Sequence, residues 1–145
     1  MLVSIVVPVY NVAPYILPCL ESLSQQTYKD IEVIFVDDCG TDNSIDIIRN
    51  FAANHAFPQW QIIRHEHNRG LSAARNTGLK VAQGDYVYFF DSDDEISVDC
   101  IERLVEPLKS KQYEIVIGGI KEQYQDGSES INQFTAHQIE NPLKS

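Results

Sequence analysis

The sequence predicts an α/β fold, in which helices cover both faces of a mainly parallel β-sheet. The first observation is an alternation of short apolar runs with longer segments whose apolar residues recur every three or four positions. The second is that the apolar runs are almost continuous, as in strands that are buried on both faces. Four strand–helix units and a fifth strand favour a three-layer α/β/α sandwich with a Rossmann-like arrangement.

The first two strand–helix units occupy the first third of the chain. Val3–Val9 is β-branched and apolar, which predicts a buried strand, and Tyr15–Gln26 has helical apolar spacing. Ile31–Asp37 is predicted as the second buried strand. A run of turn-forming and N-capping residues then leads into a predicted helix at Ser44–Asn54.

The next two units contain the third and fourth strands. Trp60–His65 is a predicted strand, and a loop separates it from a predicted helix at Leu71–Gln83. Gly84 stands where a left-handed helix cap is expected. Asp85–Phe90 is predicted as the fourth strand, and Val98–Gln112 as the helix that follows it.

The pattern changes towards the end of the chain. Ile115–Ile117 is a short predicted fifth strand. Ile120–Tyr124 and Glu129–Phe134 flank a turn, which predicts a hairpin. Residues 136–145 have no clear pairing partner.

The composition restricts the class of protein. The chain has 145 residues, of which 43% are hydrophobic and 22% charged, and this excludes a disordered or collagen-like chain. A net charge of −10 argues against nucleic acid as the main partner. No apolar run is long enough for a transmembrane segment, and the start lacks the features of a signal peptide. Three cysteines without a CxxC pair favour a reducing compartment, so we expect a cytoplasmic location.

Acidic residues follow two of the predicted strands. The second strand ends at Asp37-Asp38 and the fourth at Asp91-Ser92-Asp93-Asp94. Ligands of open α/β sheets bind beyond the carboxyl ends of the strands. A divalent cation offsets repulsion between carboxylates, and Mg²⁺ usually completes its coordination with water and phosphate oxygens. The second group therefore predicts a metal that bridges carboxylates to a diphosphate, whereas Asp37-Asp38 alone is more simply explained as solvated turn residues.

Other acidic or nucleotide sites fit less well. An EF-hand loop that began at Asp91 would need glycine at its sixth position, where this chain has Ile96. It would also need a helix before it, where the sequence predicts a strand. An aspartyl phosphatase of the DxD type has its motif after the first strand rather than the fourth. Neither the P-loop pattern nor GxGxxG follows the first predicted strand.

Four segments together resemble one family. They occur in order, at Ser4–Asn11 (SIVVPVYN), Val36–Ser44 (VDDCGTDNS), Asn68–Gly78 (NRGLSAARNTG) and Phe90–Asp94 (FDSDD). The set is similar to the inverting family 2 of glycosyltransferases, which have the GT-A fold. The resemblance covers about residues 3–119, which it implies to be a nucleotide-sugar-binding domain.

The resemblance implies a role for each matching position. It implies that Asp91 and Asp93 hold Mn²⁺ or Mg²⁺, and that Asp38 contacts the base, usually uracil. It implies a nucleotide-binding set formed by the first loop, the loop before the third helix, a helical arginine and the acidic motif: Pro8, Tyr10, Asn11, Asp38, Asn68, Arg69, Gly70, Arg75, Asp91 and Ser92.

The implied reaction is transfer of a sugar, as by a hexosyltransferase, from a UDP-sugar to a saccharide or glycolipid acceptor, as in polysaccharide biosynthesis. An inverting enzyme needs a general base that deprotonates the acceptor, and nothing after Gly119 resembles the family's base motif. The chain is therefore expected to be the donor-binding part of a longer enzyme, inactive alone, with residues 120–145 leading to an absent acceptor half. Attachment of that longer protein to the inner membrane face would depend on residues outside this chain.

Two other functions stay open from the sequence. One is a non-catalytic nucleotide-binding or interaction module of the same fold. The other, a nucleotidyltransferase, would need a basic, glycine-rich loop after the first strand, where the chain has Tyr10-Asn11-Val12-Ala13-Pro14. His65 and His67 are expected at the surface, because no third ligand for a transition metal lies nearby.

Overall fold

A computed structural model describes residues 1–55, 60–110, 115–116 and 118–132. The chain divides into two units, Met1–Ile101 and Glu102–Ser145. The first unit contains four strands: β1 (Val3–Val9), β2 (Ile31–Asp37), β3 (Trp60–Arg64) and β4 (Tyr86–Phe89). The helices alternate with them: α1 (Ile16–Ser24), α2 (Ser44–His55), α3 (Leu71–Val81) and α4 (Cys100–Leu108), of which α4 continues into the second unit.

The four strands form one sheet in the order β3-β2-β1-β4, and all neighbours are parallel. Val9 pairs with Asp37, and Asp37 pairs with Arg64, so β1, β2 and β3 end level with one another. β4 pairs with the first half of β1, from Val3 opposite Tyr86 to Val6 opposite Phe89. The carboxyl ends of all four strands therefore lie along one edge of the sheet.

Helix α3 covers one face of the sheet at very close range. Val6, Ile34 and Val36 form a buried cluster with Ala74 of α3. At Gly78 a side-chain Cβ would lie 2.3 Å from Val6 Cγ1, so only glycine lets the helix approach β1 this closely. The small residues of α3 thus fix the position of this helix on the sheet.

Helix α2 lies against the opposite face through Phe51, and α1 packs beside α2. Phe35 and Trp60 point away from α3, and their ring centroids lie 5.3 Å apart. Phe51 of α2 stacks on Trp60 at 5.7 Å with an interplanar angle of 9°. The helices therefore form layers on both sides of the sheet, as the alternation of the sequence predicted.

Most of the predicted elements are confirmed, with ends that differ by a few residues. Helix α4 ends at Leu108, and Pro107, which has no backbone N–H, removes one hydrogen bond from its last turn. The predicted fifth strand is wrong at Ile115 and Val116, which are not in a strand, and Ile117 lies outside the described residues. Three apolar residues are too few to predict a strand from their sequence.

The left-handed cap predicted at Gly84 is also wrong. Among the described glycines, only Gly70 and Gly127 have a positive φ. Gly84 is instead packed against β1, where a Cβ would lie 2.6 Å from Ser4 Oγ and 2.9 Å from the Leu2 carbonyl oxygen. Glycine is required at this position by contact with the neighbouring strand and not by its own dihedral angles.

The second unit contains the predicted hairpin. Strands β5 (Ile120–Gln123) and β6 (Glu129–Asn132) pair antiparallel, and Gly127 in the turn has φ +85°. The last two residues predicted for the second strand of this hairpin, 133 and 134, lie outside the described residues, as does the segment at 136–145.

Candidate functional site

Three loops and one acidic segment follow the strands at the carboxyl edge of the sheet. The first loop is residues 10–15 after β1, the second is residues 38–43 after β2, and the third is residues 65–70 after β3. The acidic segment is residues 91–95, shortly after β4. Because the strands are parallel and in register, the chain brings four stretches that are distant in sequence to the same edge.

Asn11 joins the first loop to the second. Its Oδ1 accepts hydrogen bonds from the backbone N–H groups of Thr41 at 2.7 Å and Asp42 at 3.2 Å. Asn11 and Cys39 both have left-handed backbone angles, with φ +49° and +59°. Asparagine tolerates this conformation better than most residues, which explains why it stands at the turn.

Asp42 and Ser44 complete the same junction. Asp42 Oδ2 accepts from the Ala13 N–H at 2.9 Å, and its Oδ1 accepts from the Ser44 backbone N–H at 3.0 Å. Ser44 Oγ in turn accepts from the Val12 N–H at 3.0 Å. Burial favours a higher pKa for the Asp42 carboxyl, but the hydrogen bonds from Ser44 and Ala13 outweigh it and lower that pKa. An ionised Asp42 therefore holds the two loops together.

Asp38 is the centre of the third loop. Its carboxylate is buried and accepts from the backbone N–H groups of Arg69 at 2.8 Å and Gly70 at 2.9 Å. The Asn68 side chain donates to the Asp38 carbonyl oxygen at 3.3 Å. Burial alone would raise the pKa of Asp38, but hydrogen bonds from Arg69, His65 and Gly70 lower it below its ordinary value. Asp38 is thus an ionised acceptor that holds residues 68–70.

His65 is the side chain that orients Asp38. It follows β3 and is only 5% exposed, with Nδ1 2.8 Å from Asp38 Oδ1 and Nε2 2.7 Å from Thr77 Oγ1 of α3. The prediction that His65 lies at the surface is therefore wrong, whereas His67 is exposed as expected. Burial of His65 depends on α3 packing over the end of β3, which no local pattern reveals.

The acidic segment forms a tight group of carboxylates. The Asp94 N–H donates to the Asp91 carbonyl oxygen at 3.1 Å, and this turn brings oxygens of Asp91, Asp93 and Asp94 within 4.8 Å of one another. Burial raises the pKa of Asp94, and the charges of Asp93 and Asp91 raise it further. Sequence reasoning omitted Asp94 from the metal-binding set, although its place directly after Asp93 was a usable signal.

This donor set suits a hard divalent cation. Three carboxylates that repel one another are the ligands that Mg²⁺ and Mn²⁺ prefer, and exposure of Asp93 and Asp94 leaves room for water or phosphate oxygens. Beneath them, burial together with the charges of Asp94 and Asp93 raises the pKa of the Cys19 thiol to about 12, so Cys19 stays protonated. A neutral buried thiol is not a competing metal ligand.

Arg75 connects α3 to the acidic segment. Its Nη2 lies 3.1 Å from Asp91 Oδ1, while its Nε is buried without a hydrogen-bond partner among the described residues. The first residue of α3 follows Gly70, so one helix carries both the loop held by Asp38 and the arginine beside Asp91. A group with several acceptor oxygens could satisfy the remaining donors of this guanidinium.

The other predicted site residues differ in how far they are exposed. Pro8 is buried within β1 rather than in the loop, and Ser92 is 5% exposed. Tyr10 is 49% exposed at the start of the first loop. The geometry thus forms two groups, Asp38 with residues 68–70 and Arg75 with the acidic segment, and α3 links them.

A polar cavity of about 150 Å³ lies at the same edge. Its lining includes charged residues that the sequence did not single out, namely Asp46 and Arg49 of α2 and Arg64 at the end of β3. The Arg64 Nε also lies 3.5 Å from the buried Asp37 carboxylate. Only the folded arrangement of β2, β3 and α2 brings these charges together.

The helices of the described residues are all too short or too polar to cross a membrane.

Comparison with known proteins places these features in a family. The model of Glycosyl transferase family 2 matches residues 4–142. The uncharacterized glycosyltransferase EpsJ of Bacillus subtilis (strain 168) is 45% identical over 125 residues, which are 86% of this chain and 36% of EpsJ.

Two solved structures resemble the fold. The crystal structure of S. aureus TarS with UDP-GlcNAc is 34% identical with a TM-score of 0.70, over 76% of this chain and 32% of that one. Mannosyltransferase PcManGT from Pyrobaculum calidifontis, solved with GDP-Man and Mn²⁺, is 29% identical with a TM-score of 0.71, over 81% and 34%. This chain spans about a third of EpsJ, of the TarS fragment 1–349 in that crystal structure and of PcManGT. The chain belongs to glycosyl transferase family 2 and has the GT-A fold.

Proposed function

We propose that this chain binds the donor of an inverting, metal-dependent hexosyltransferase, and that the donor is a UDP-sugar. The observation that carries the proposal is the group formed by Asp91, Asp93 and Asp94 beside Arg75, at the carboxyl edge of the sheet. The acceptor would be a saccharide or a glycolipid. The general base that inversion requires is proposed to lie outside these 145 residues.

The two groups of site residues support a division of the donor between them. Asp91 and Asp93, joined by Asp94, would hold Mn²⁺ or Mg²⁺. When bound, this metal would neutralise charge on the leaving diphosphate. Arg75 would donate to diphosphate oxygens from the α3 side. Tyr10, Asn11, Asp38 and the loop at 68–70 would form the nucleoside site, with the buried Pro8 behind them, and Ser92 would lie on the diphosphate side with the acidic segment.

Both solved relatives support a diphosphate ligand, PcManGT also supports the metal, and the two differ in the base. TarS was solved with UDP and with UDP-GlcNAc, whereas PcManGT was solved with GDP-Man and Mn²⁺. UDP-GlcNAc and GDP-Man are both nucleoside diphosphates that carry a sugar. The preference for uracil rests on the resemblance at Asp38 and on the greater identity with TarS.

Calorimetric titration of the chain with UDP, with and without Mn²⁺, tests this proposal. We expect binding of UDP that requires Mn²⁺. The affinities for UMP and GDP should be about tenfold weaker or more, because UMP lacks the second phosphate and GDP carries guanine in place of uracil. Asp93→Asn should abolish the metal-dependent binding. Glu95→Gln is the control. It removes one charge from the same exposed segment, but Glu95 is not part of the cluster formed by Asp91, Asp93 and Asp94, so binding should stay intact.

Two outcomes would contradict the proposal. Absence of binding to any nucleoside diphosphate with Mn²⁺ would exclude donor binding by this chain. Equal binding with and without metal, unaffected by Asp93→Asn, would instead favour the non-catalytic nucleotide-binding module.

A further inference from the structure

The loop that precedes α3 is held by a series of hydrogen-bonded side chains that begins inside the protein. Thr77 lies on α3, His65 lies at the end of β3, and Asp38 lies at the end of β2. The hydrogen-bonded distances along this series are 2.7 Å and 2.8 Å, and both His65 and Asp38 are almost completely buried. From Asp38 the series continues to the N–H groups of Arg69 and Gly70.

The chemistry of Asp38 decides how His65 is hydrogen-bonded. An ionised carboxylate only accepts hydrogen bonds, so the hydrogen between the two side chains belongs to His65 Nδ1. Nε2 of a neutral ring then accepts from the Thr77 hydroxyl, and the rotating hydroxyl suits either state of the ring. His65 therefore fixes the orientation of the Asp38 carboxylate through Nδ1, and Nε2 fixes the ring on α3.

Apart from its bonds to the Asp38 carboxylate, the loop is attached to β2 at its first residue, where the His65 backbone N–H donates to the Asp37 carbonyl oxygen at 2.8 Å. Gly70 has φ +93° and ψ 168°, a conformation that costs a glycine little and that the Asp38 hydrogen bond selects. A second tie runs from the Asn68 side chain to the Asp38 backbone. A third, longer contact runs from Cys39 Sγ to the Glu66 carbonyl oxygen at 3.7 Å. The backbone of residues 69–70 thus depends on the carboxylate that His65 orients.

We propose that His65 is a positioning residue for nucleotide binding, which acts by fixing Asp38 and, through it, the loop at residues 68–70. This inference rests on the proposed donor site. His65 does not touch the nucleotide. It holds the loop in the binding conformation before the nucleotide arrives, so binding does not have to order the loop.

Two substitutions of His65 separate positioning from a general contribution to stability. In His65→Asn the amide nitrogen stands near the place of Nδ1 and can donate to Asp38, but the contact with Thr77 is lost. In His65→Gln the longer amide reaches the place of Nε2 and keeps the contact with Thr77, but the donor to Asp38 is lost. Thr77→Val is the matched control, because it removes only the partner of Nε2.

The first measurement is amide hydrogen exchange at Arg69 and Gly70 by NMR, without nucleotide. We expect exchange at both amides to accelerate about tenfold in His65→Gln, as for the loss of one hydrogen bond, and to stay within about threefold of the parent chain in His65→Asn and Thr77→Val. The second measurement is the Kd for UDP with Mn²⁺, which should rise about tenfold in His65→Gln alone. Thermal unfolding of all variants checks that they are folded.

The results distinguish this inference from the proposed function. Equal exchange at Arg69 and Gly70 in His65→Asn and His65→Gln would overturn the positioning role, and so would an unchanged Kd in His65→Gln. If the parent chain does not bind UDP, the proposed donor site fails, and the exchange measurement still decides whether His65 holds the loop.

Discussion

Arg75 and Asp91 join the helix before β4 to the acidic segment after it, with 3.1 Å between Arg75 Nη2 and Asp91 Oδ1. The Nε of the same guanidinium is buried without a partner among the residues that the structure describes. A half-exposed ion pair of this kind contributes little to folding, about 0–1 kcal/mol. The half-exposed guanidinium lies beside the carboxylates of the acidic segment, which favours a ligand-binding role for Arg75 over a structural one.

Replacing Arg75 by glutamine should therefore weaken diphosphate binding selectively. We expect the Kd for UDP with Mn²⁺ to rise about tenfold or more, because a charge-assisted hydrogen bond is lost, and the Kd for uridine to stay unchanged. Titration calorimetry measures both constants. Lys80→Gln, which removes an exposed positive charge from the last turn of the same helix, should change neither. A parallel loss of uridine affinity in Arg75→Gln would mean that Arg75 acts on the whole site.

Asp38→Asn should destabilise the chain in a manner that depends on pH. At neutral pH we expect a loss of about 2 kcal/mol or more, since a buried acceptor of three hydrogen bonds is altered. Folding lowers the pKa of Asp38, so the native state binds fewer protons than the unfolded state near the ordinary value of 3.8. The stability that Asp38 contributes is present above that value and is lost as the pH falls through the lower, native pKa.

The measurement for Asp38 is urea unfolding of parent and variant between pH 7 and pH 3. The difference in their free energies of unfolding should stay constant at the upper end and shrink below about pH 4. Glu66→Gln, an exposed neighbour of His65, serves as the control and should show a small difference at every pH. A difference for Asp38→Asn that grows on acidification would refute the direction of the pKa shift.

Gly78→Ala should destabilise the packing of α3 on the sheet. The added methyl would lie 2.3 Å from Val6 Cγ1 in a buried contact, and overpacking of this kind costs about 1–3 kcal/mol. Val6→Ala makes room for it, so the double variant should lose less stability than the sum of the two single variants. Chemical denaturation of all four chains gives the coupling energy. Additive losses would show that α3 shifts instead of pressing on Val6.

Gly70→Ala should affect binding as well as stability. Space is not limiting, since a Cβ at Gly70 or at Gly127 would have no heavy atom within 4 Å, but both residues have a positive φ. Alanine at either position should cost about 1 kcal/mol or more. Of these two glycines, Gly70 alone donates to Asp38, so only Gly70→Ala should raise the Kd for UDP with Mn²⁺. Equal Kd values for the two variants would show that the loop at 68–70 takes no part in UDP binding.

The elements with the strongest local pattern were predicted best. β1 and β2 begin and end at the predicted residues, because a seven-residue, mostly apolar segment buried on both faces has few alternatives. Helix ends were predicted less closely, as at α4, which spans Cys100–Leu108 where helical spacing predicts Val98–Gln112. Gly84 was misassigned because the same residue suits a left-handed cap and a close contact, and only the contact with Ser4 decides between them.

The sequence by itself determined the alternation of strands and helices, the family resemblance and the acids that follow β2 and β4, since these depend on residues close together in the chain. The tertiary structure decided which side chains meet. It placed His65 between Asp38 and Thr77, paired Arg75 with Asp91, and joined Asp94 to the carboxylate group. The physical reason is that parallel strands connected by helices bring distant loops to one edge, and the partners there depend on register and helix packing, which no local pattern encodes.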